Sequence, residues 1–288
     1  MPVVPMQEIL KDAFQRRYGV GAFNFVNDLT MEAVLQAAAM TRSPVILQAS
    51  VKTVRKMGAR LIRLMFDEMA SRVPVPAALH LDHCPDRAVI EECMQAGWGS
   101  VLFDASLLSY EDNLGQTRDI VRLAHRFGVA VEGELEAIHG AEDGIGGNYS
   151  GPVVALDQAV RFVRETGIDS FAPAIGTAHG VYHGEPVIDF DRVSAIVEAE
   201  PLPLVVHGGT GLSDAVLRDL ISRGAIKINI STQLKITFAD SLRRYLNLHP
   251  VEYDPLKLLA AVREEVTNMA AAYMRVFGSE GKARCAGR

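Results

Sequence analysis

Cysteine is scarce: Cys84, Cys93 and Cys285 are the only three among 288 residues. An odd count with no C-x-x-C pair argues against a disulfide framework and against a thiolate-bound zinc, and points to a reducing compartment. Positive charge is also in short supply, with 29 Lys+Arg against 35 Asp+Glu and a net charge of −6. No basic block exists, so the phosphate-neutralising footprint of a nucleic-acid binder is missing. Long apolar runs are absent too: stretches such as 202–206 fall far short of the ~18 residues of a membrane span. Residues 1–19 hold no apolar core of ~7–15 residues, so they do not read as a secretory signal. These absences together describe a cytoplasmic protein without membrane or nucleic-acid partners. A content of 49% hydrophobic and 22% charged residues excludes a disordered chain.

What the chain does have is a repeated alternation. Eight short apolar segments, at 21–24, 44–50, 76–83, 100–106, 130–138, 169–176, 202–209 and 225–232, each end in polar residues or glycine. Stretches of helical periodicity separate them, at 31–41, 54–71, 85–96, 111–127, 157–166, 189–199 and 214–223. Apolar strands alternating with helices build a parallel sheet covered on both faces. Eight such units fit a closed (β/α)8 TIM barrel better than an open doubly wound sheet. The latter more often has about six strands and a glycine-rich first turn, which Gly21-Ala22-Phe23-Asn24 does not supply. Two further helices, at 234–246 and 256–277, follow the eighth strand. The expectation is one α/β domain over 1–288, with 234–288 as a C-terminal helical extension.

In such a barrel the chemistry sits at the C-terminal ends of the strands. Those ends carry Asn24, Ser50, Asp82 with His83, Asp104, Glu134, His179 just past strand six, His207 and Asn229. Three neutral imidazoles leaving one open coordination position are the ligand set of a catalytic zinc. His83, His179 and His207 come from different strands, so this reading depends on the barrel closing them together. The run His207-Gly208-Gly209-Thr210-Gly211 precedes a helix whose N-cap is Ser213, and the eighth strand ends in Ser231-Thr232. Backbone amides freed by glycine, next to a helix N-terminus, suit a phosphate.

Six ordered stretches carry a family resemblance over nearly the whole chain. They are Leu79-His80-Leu81-Asp82-His83-Cys84, Val131-Glu132-Gly133-Glu134-Leu135, Gly140-Ala141-Glu142-Asp143-Gly144, Ala174-Ile175-Gly176-Thr177-Ala178-His179-Gly180, His207-Gly208-Gly209-Thr210-Gly211 and Lys227-Ile228-Asn229-Ile230-Ser231-Thr232. The sequence resembles the class II, metal-dependent ketose-bisphosphate aldolases. That resemblance implies one catalytic Zn2+ held by His83, His179 and His207, with Glu134 as a resting-position ligand or partner, and allows a monovalent cation. It implies that Asp82 exchanges the proton of the C4 hydroxyl, that Glu142 on a mobile loop exchanges the proton of dihydroxyacetone phosphate, and that Asn229 holds substrate oxygens. Negative charge left by cleavage is then held as a metal-stabilised enediolate. Gly180, Gly208, Gly209, Thr210, Ser231 and Thr232 would surround the phosphate, with Ser50 contributing and His80 acting behind the metal ligands. A sugar-phosphate substrate and a homodimer or homotetramer follow from the same resemblance.

Two departures bear on the substrate. Family members acting on bisphosphates commonly carry a Tyr-Asp-Pro-Arg stretch whose arginine reaches the second phosphate, and here it reads Tyr253-Asp254-Pro255-Leu256-Lys257. Losing the guanidinium removes the fork that suits phosphate. The strand-four end reads Phe103-Asp104-Ala105-Ser106-Leu107-Leu108, more apolar than usual, and His139 and Ala141 alter the following loop. The expected reaction is cleavage of the C3–C4 bond of a ketose 1-phosphate or 1,6-bisphosphate to dihydroxyacetone phosphate and an aldehyde, with an unphosphorylated aldehyde preferred. The alternatives are a fructose or tagatose 1,6-bisphosphate aldolase giving glyceraldehyde 3-phosphate, and, further off, a metal-dependent hydrolase, an epimerase or a noncatalytic subunit on the same barrel.

Overall fold

The computed structural model describes residues 2–142, 145–147, 153–182 and 184–283. The chain begins with α1 (Met6–Arg16), and then β1 (Val20–Asn24), α2 (Asp28–Thr41), β2 (Val45–Ser50), α3 (Val51–Met57), α4 (Ala59–Ala70), β3 (Ala77–Cys84), α5 (Arg87–Gln95), β4 (Ser100–Asp104), α6 (Tyr110–Arg126) and β5 (Ala130–Glu134) follow. A two-stranded antiparallel hairpin, β6 (Gly140–Glu142) with β7 (Ile145–Gly147), interrupts the alternation. It resumes with α7 (Leu156–Thr166), β8 (Ser170–Ala172), α8 (Phe190–Ala199), β9 (Leu204–Val206), α9 (Asp214–Arg223), β10 (Ala225–Ile230), α10 (Thr232–Leu248) and α11 (Pro255–Val276).

Eight parallel strands close in the order β1-β10-β9-β8-β5-β4-β3-β2, the expected (β/α)8 barrel. Several strands stop short of their apolar segments: β8 and β9 have three residues each. Beyond them the chain leaves the ladder to place site residues on the rim. The stretch 54–71 is two helices, because Gly58 stands at φ +87 between α3 and α4 and interrupts the hydrogen-bond ladder. The opening helix α1 buries Met6, Ile9, Leu10 and Ala13 and lies against the start of β3, where Val4 N–H donates to Ala77 O at 3.1 Å. It closes the mouth of the barrel opposite the site.

Fully buried aromatics, among them Phe23, Phe66, Phe162, Phe171 and Trp98, fill the core. Truncating one such side chain typically costs about 3–5 kcal/mol. Helix α11 packs on α2 and α10, and Thr267 Oγ1 donates to Ala33 O at 3.2 Å. The expected N-cap holds: Ser213 Oγ accepts from Val216 N–H. Among the described residues no helix is long and apolar enough to cross a membrane.

Candidate metal centre and active site

Asp82 and His83 are consecutive, and in a regular strand their side chains would face opposite sides. His83 escapes this with φ +37, in the left-handed region that non-glycine residues rarely adopt, and the β3–β4 register shifts between Leu81 and Cys84. The irregularity brings both side chains to the inner rim. Backbone strain of this kind is commonly kept where geometry matters for function.

Three imidazoles converge there. His207 Nδ1 lies 2.8 Å from His83 Nε2 and 3.4 Å from His179 Nε2. Each outer nitrogen of the closer pair meets a carboxylate: His207 Nε2 with Glu132 Oε1 at 2.8 Å, and His83 Nδ1 with Asp104 Oδ2 at 2.8 Å. A proton on each outer nitrogen leaves lone pairs on the two inner ones, which then repel unless a cation lies between them. Three imidazole nitrogens, two of them backed by carboxylates, are a donor set that fits a divalent metal ion. Ligand atoms of His83, His179 and His207 lie within 4.8 Å of one another, as do those of a second group, His83, Asp104 and Glu134. The two groups share His83, so Glu134 stands beside the histidine triad.

The electrostatics ask for positive charge at this point. Burial opposes charging His83, yet Asp82, Glu134 and Asp104 hold its pKa well above the ordinary histidine value. Burial and the neighbouring His83 hold His179 and His207 well below that value, so both are neutral. Burial and the charge of Asp104 push Glu134 well above the usual carboxylate range. Burial also acts on Asp104, but the His83 hydrogen bond and charge and the Ser106 hydroxyl outweigh it, and Asp104 titrates far below its ordinary value.

Asp82 is held from the other side. Gln48 Nε2 donates to Asn24 Oδ1 at 2.6 Å, which turns the Asn24 amide so that its Nδ2 donates to Asp82 Oδ2 at 2.7 Å. The second oxygen, Asp82 Oδ1, is buried and finds no partner among the described residues. An oriented carboxylate with one unengaged oxygen is suited to proton transfer. His80, two residues earlier, lies wholly inside the barrel, its Nδ1 2.7 Å from Ser100 Oγ. Its Nε2 lies 3.7 Å from Glu132, the carboxylate that meets His207.

Across the rim, Gly208 (φ +67) and Gly180 (φ +93) occupy backbone conformations that favour glycine. The hydroxyl of Tyr182 joins their loops, accepting from Ala178 N–H at 3.0 Å and donating to Gly208 O at 2.8 Å. Thr210 Oγ1 accepts from Gln233 N–H in the first turn of α10 at 3.2 Å. Ser231, which precedes that helix, makes no side-chain cap, and its buried Oγ has no partner among the described residues. The structure thus brings Gly180, Gly208, Gly209, Thr210, Ser231 and Thr232 to the β8, β9 and β10 ends, beside a helix N-terminus with donors to offer. The buried amide nitrogen of Asn229 likewise has no partner among the described residues.

Other expected positions fall less centrally. Ser50 is buried at the N-cap of α3, where its Oγ accepts from Thr53 N–H at 3.4 Å. Glu142 ends β6 in the hairpin after β5, and its side chain lies outside the described residues, as do Asp143 and Gly144. His183 and the tail from residue 284 also lie outside them. Leu256 is 77% exposed, and Lys257 pairs with Glu252 at 2.9 Å on the surface. His125 is a surface partner of Asp169 at 2.9 Å. The Cys84 thiol is packed away, and burial pushes it up to about 12. A cavity of about 260 Å³ opens beside His83 and His179, walled by Phe103, Leu107, Leu108 and Ile138.

A barrel rim that gathers three imidazoles, a shielded carboxylate and a glycine-flanked helix start has the donor groups that TIM-barrel lyases and hydrolases use on metal ions and anions. The sequence model of the family described as fructose-bisphosphate aldolase class-II matches residues 4–282, and the chain belongs to that family; it is a class II aldolase. It is 35% identical to a protein of Alkalicoccus urumqiensis named sulfofructosephosphate aldolase, covering 99% of each. It is 40% identical to a probable fructose-bisphosphate aldolase of Bacillus subtilis, over 98% of this chain and 100% of that one. Among solved structures, the YdjI aldolase of Escherichia coli K12 superposes with a TM-score of 0.87 at 32% identity, covering 98% of this chain and 100% of that one.

Proposed function

We propose that this protein is a zinc-dependent aldolase cleaving the C3–C4 bond of a ketose 1-phosphate to dihydroxyacetone phosphate and an unphosphorylated aldehyde. The carrying observation is the convergence of His83 Nε2, His179 Nε2 and His207 Nδ1 next to the unengaged oxygen of Asp82. A divalent ion held by the three histidines supplies Lewis-acid polarisation of the substrate's C2 carbonyl. Asp82 takes the proton of the C4 hydroxyl in cleavage and returns it in condensation, while Asn24 keeps its carboxylate turned. The Asn229 amide donates to a substrate oxygen. The backbone N–H of Gly208, with the hydroxyls of Thr210, Ser231 and Thr232 and the close approach allowed at Gly180 and Gly209, holds the phosphate; the Gly209 N–H itself donates to Asn229 O at 3.2 Å. Glu134 attends His83 in a resting arrangement, Ser50 contributes beside the phosphate residues, and Glu142 exchanges the C3 proton from the hairpin.

Preference for an unphosphorylated aldehyde is supported by Leu256 where family members acting on bisphosphates commonly carry arginine and by Lys257, which is tied to Glu252. The apolar wall of Phe103, Leu107 and Leu108 points the same way. A coupled assay for dihydroxyacetone phosphate tests the reading on fructose and tagatose 1,6-bisphosphate, sulfofructose phosphate and a set of ketose 1-phosphates, with and without chelator. Chelator-sensitive release, fastest from a ketose 1-phosphate that lacks a second phosphate, is expected. Faster bisphosphate turnover refutes the aldehyde preference, and silence on every substrate refutes the reaction.

A further inference from the structure

Beneath the histidines the barrel interior holds a buried cation that none of the roles above uses. Lys227 on β10 is 0% exposed. Its Nζ donates to Asn229 Oδ1 at 2.8 Å and lies 3.0 Å from Glu132 Oε2, while the other oxygen of that carboxylate meets His207 Nε2 at 2.8 Å. Strand alternation explains the grouping: Lys227 and Asn229 are two residues apart on one inward face, as are Glu132 and Glu134.

The donor count gives the cluster a direction. An ammonium has three donors and no acceptor, so it can meet only the carbonyl end of the Asn229 amide. That choice turns Nδ2 toward the rim, where it is buried and without a partner among the described residues. A carboxylate paired with the ammonium is an acceptor only, so it requires the proton of His207 on Nε2 and leaves the lone pair on Nδ1, the nitrogen that faces His83. We propose that Lys227 is a positioning residue that fixes the hand of the Asn229 amide and, through Glu132, the tautomer of His207. One ammonium thereby presents a substrate-facing N–H and a metal-facing lone pair. The inference rests on the roles given above to Asn229 and His207.

Lys227→Met alone leaves Glu132 buried without its cation; Lys227→Met with Glu132→Gln removes both charges while keeping an oxygen for His207. Zinc affinity, measured by chelator competition without substrate, is expected to fall at least about tenfold in the single variant and to return to within about threefold in the pair. KM for the ketose phosphate that the wild-type protein cleaves is expected to stay raised about tenfold in the pair, because the Asn229 amide is no longer held. Adding Asn229→Ala to the pair should raise KM no further, whereas a merely structural lysine gives additive effects. Additivity, or unchanged zinc affinity in Lys227→Met, overturns the proposal. Histidine 15N spectra of the wild-type protein supply a test that needs no variant: His207 should carry its proton on Nε2, and a proton on Nδ1 overturns the proposal. If the wild-type protein releases no dihydroxyacetone phosphate, the aldolase reading fails while the zinc and 15N measurements still judge Lys227.

Discussion

Alanine at position 208 would probe the place where the loops carrying two of the histidines touch. Gly208 follows His207, stands at φ +67, and a Cβ there would lie 2.1 Å from Ala178 O and 2.6 Å from Ala178 C. Real Cβ atoms essentially never come closer than 3.0 Å, so one loop must retreat by about 0.9 Å. Neither is free to do so. Tyr182 OH bonds both Ala178 N–H and Gly208 O, and His179 N–H donates to His139 O at 2.8 Å. Ala178 immediately precedes His179, so the retreat separates His179 from His207. Metal–ligand distances tolerate only about 0.2 Å. Zinc affinity should therefore fall about a hundredfold or more, roughly 2.8 kcal/mol at about 1.4 kcal/mol per tenfold. The left-handed backbone adds a stability cost of about 1–2 kcal/mol. Gly128→Ala separates the two effects, because Gly128 also has positive φ (+68) but its Cβ would meet nothing within 4 Å. That variant should lose stability alone and bind zinc normally. Chelator competition and urea unfolding read the two quantities. A Gly208→Ala protein that binds zinc within threefold of wild type would refute the reasoning.

Asp82→Asn keeps the shape and the Asn24 contact but cannot accept the C4 proton. Its kcat for cleavage should drop about 10²–10⁴-fold with zinc affinity nearly unchanged, and equal loss of both would show that Asp82 is structural. Arg192→Met should destabilise the fold by about 3–5 kcal/mol in urea unfolding. The guanidinium is bonded to Glu136 with side-chain exposures of 9% and 6%, so its removal leaves a buried carboxylate unpaired. Adding Glu136→Gln should recover much of that loss, and no recovery would mean that packing rather than charge pairing explains the effect.

The rim was legible because polar groups end apolar runs. Asn24 and Glu134 close their strands, Asp82, His207 and Asn229 lie within two residues of a strand end, and the barrel puts all five on one face. Of the interior layer only His80 was read from the sequence, although the signal for Glu132 and Lys227 was present: His80 and Asp82, Glu132 and Glu134, and Lys227 and Asn229 each sit two apart within strands, which is the spacing of one face. Nothing local could reveal the rest. The inward turn of His83 depends on a register shift against β4, and Tyr182 and the Arg192–Glu136 pair act between loops far apart in sequence. The break at Gly58 was overlooked because the residues on both sides keep helical periodicity, and Gly58 itself interrupts the ladder.

That inner layer also says where stability comes from. Barrel interiors of this class are mostly filled by branched aliphatic side chains. Here Gln48, His80, Glu132 and Lys227 occupy the space, all 0% exposed. Taking each charge out of water costs several kcal/mol, which its partner offsets only with good geometry, and well-packed apolar replacements of such pairs are often neutral or stabilising. The folding free energy must therefore come mainly from the apolar layer between strands and helices, built on residues such as Phe23, Phe162 and Phe171. The polar layer is retained for the orientation it imposes on Asp82, Asn229 and His207. Replacing it with aliphatic residues should yield a barrel at least as stable whose histidines and amides are no longer aimed.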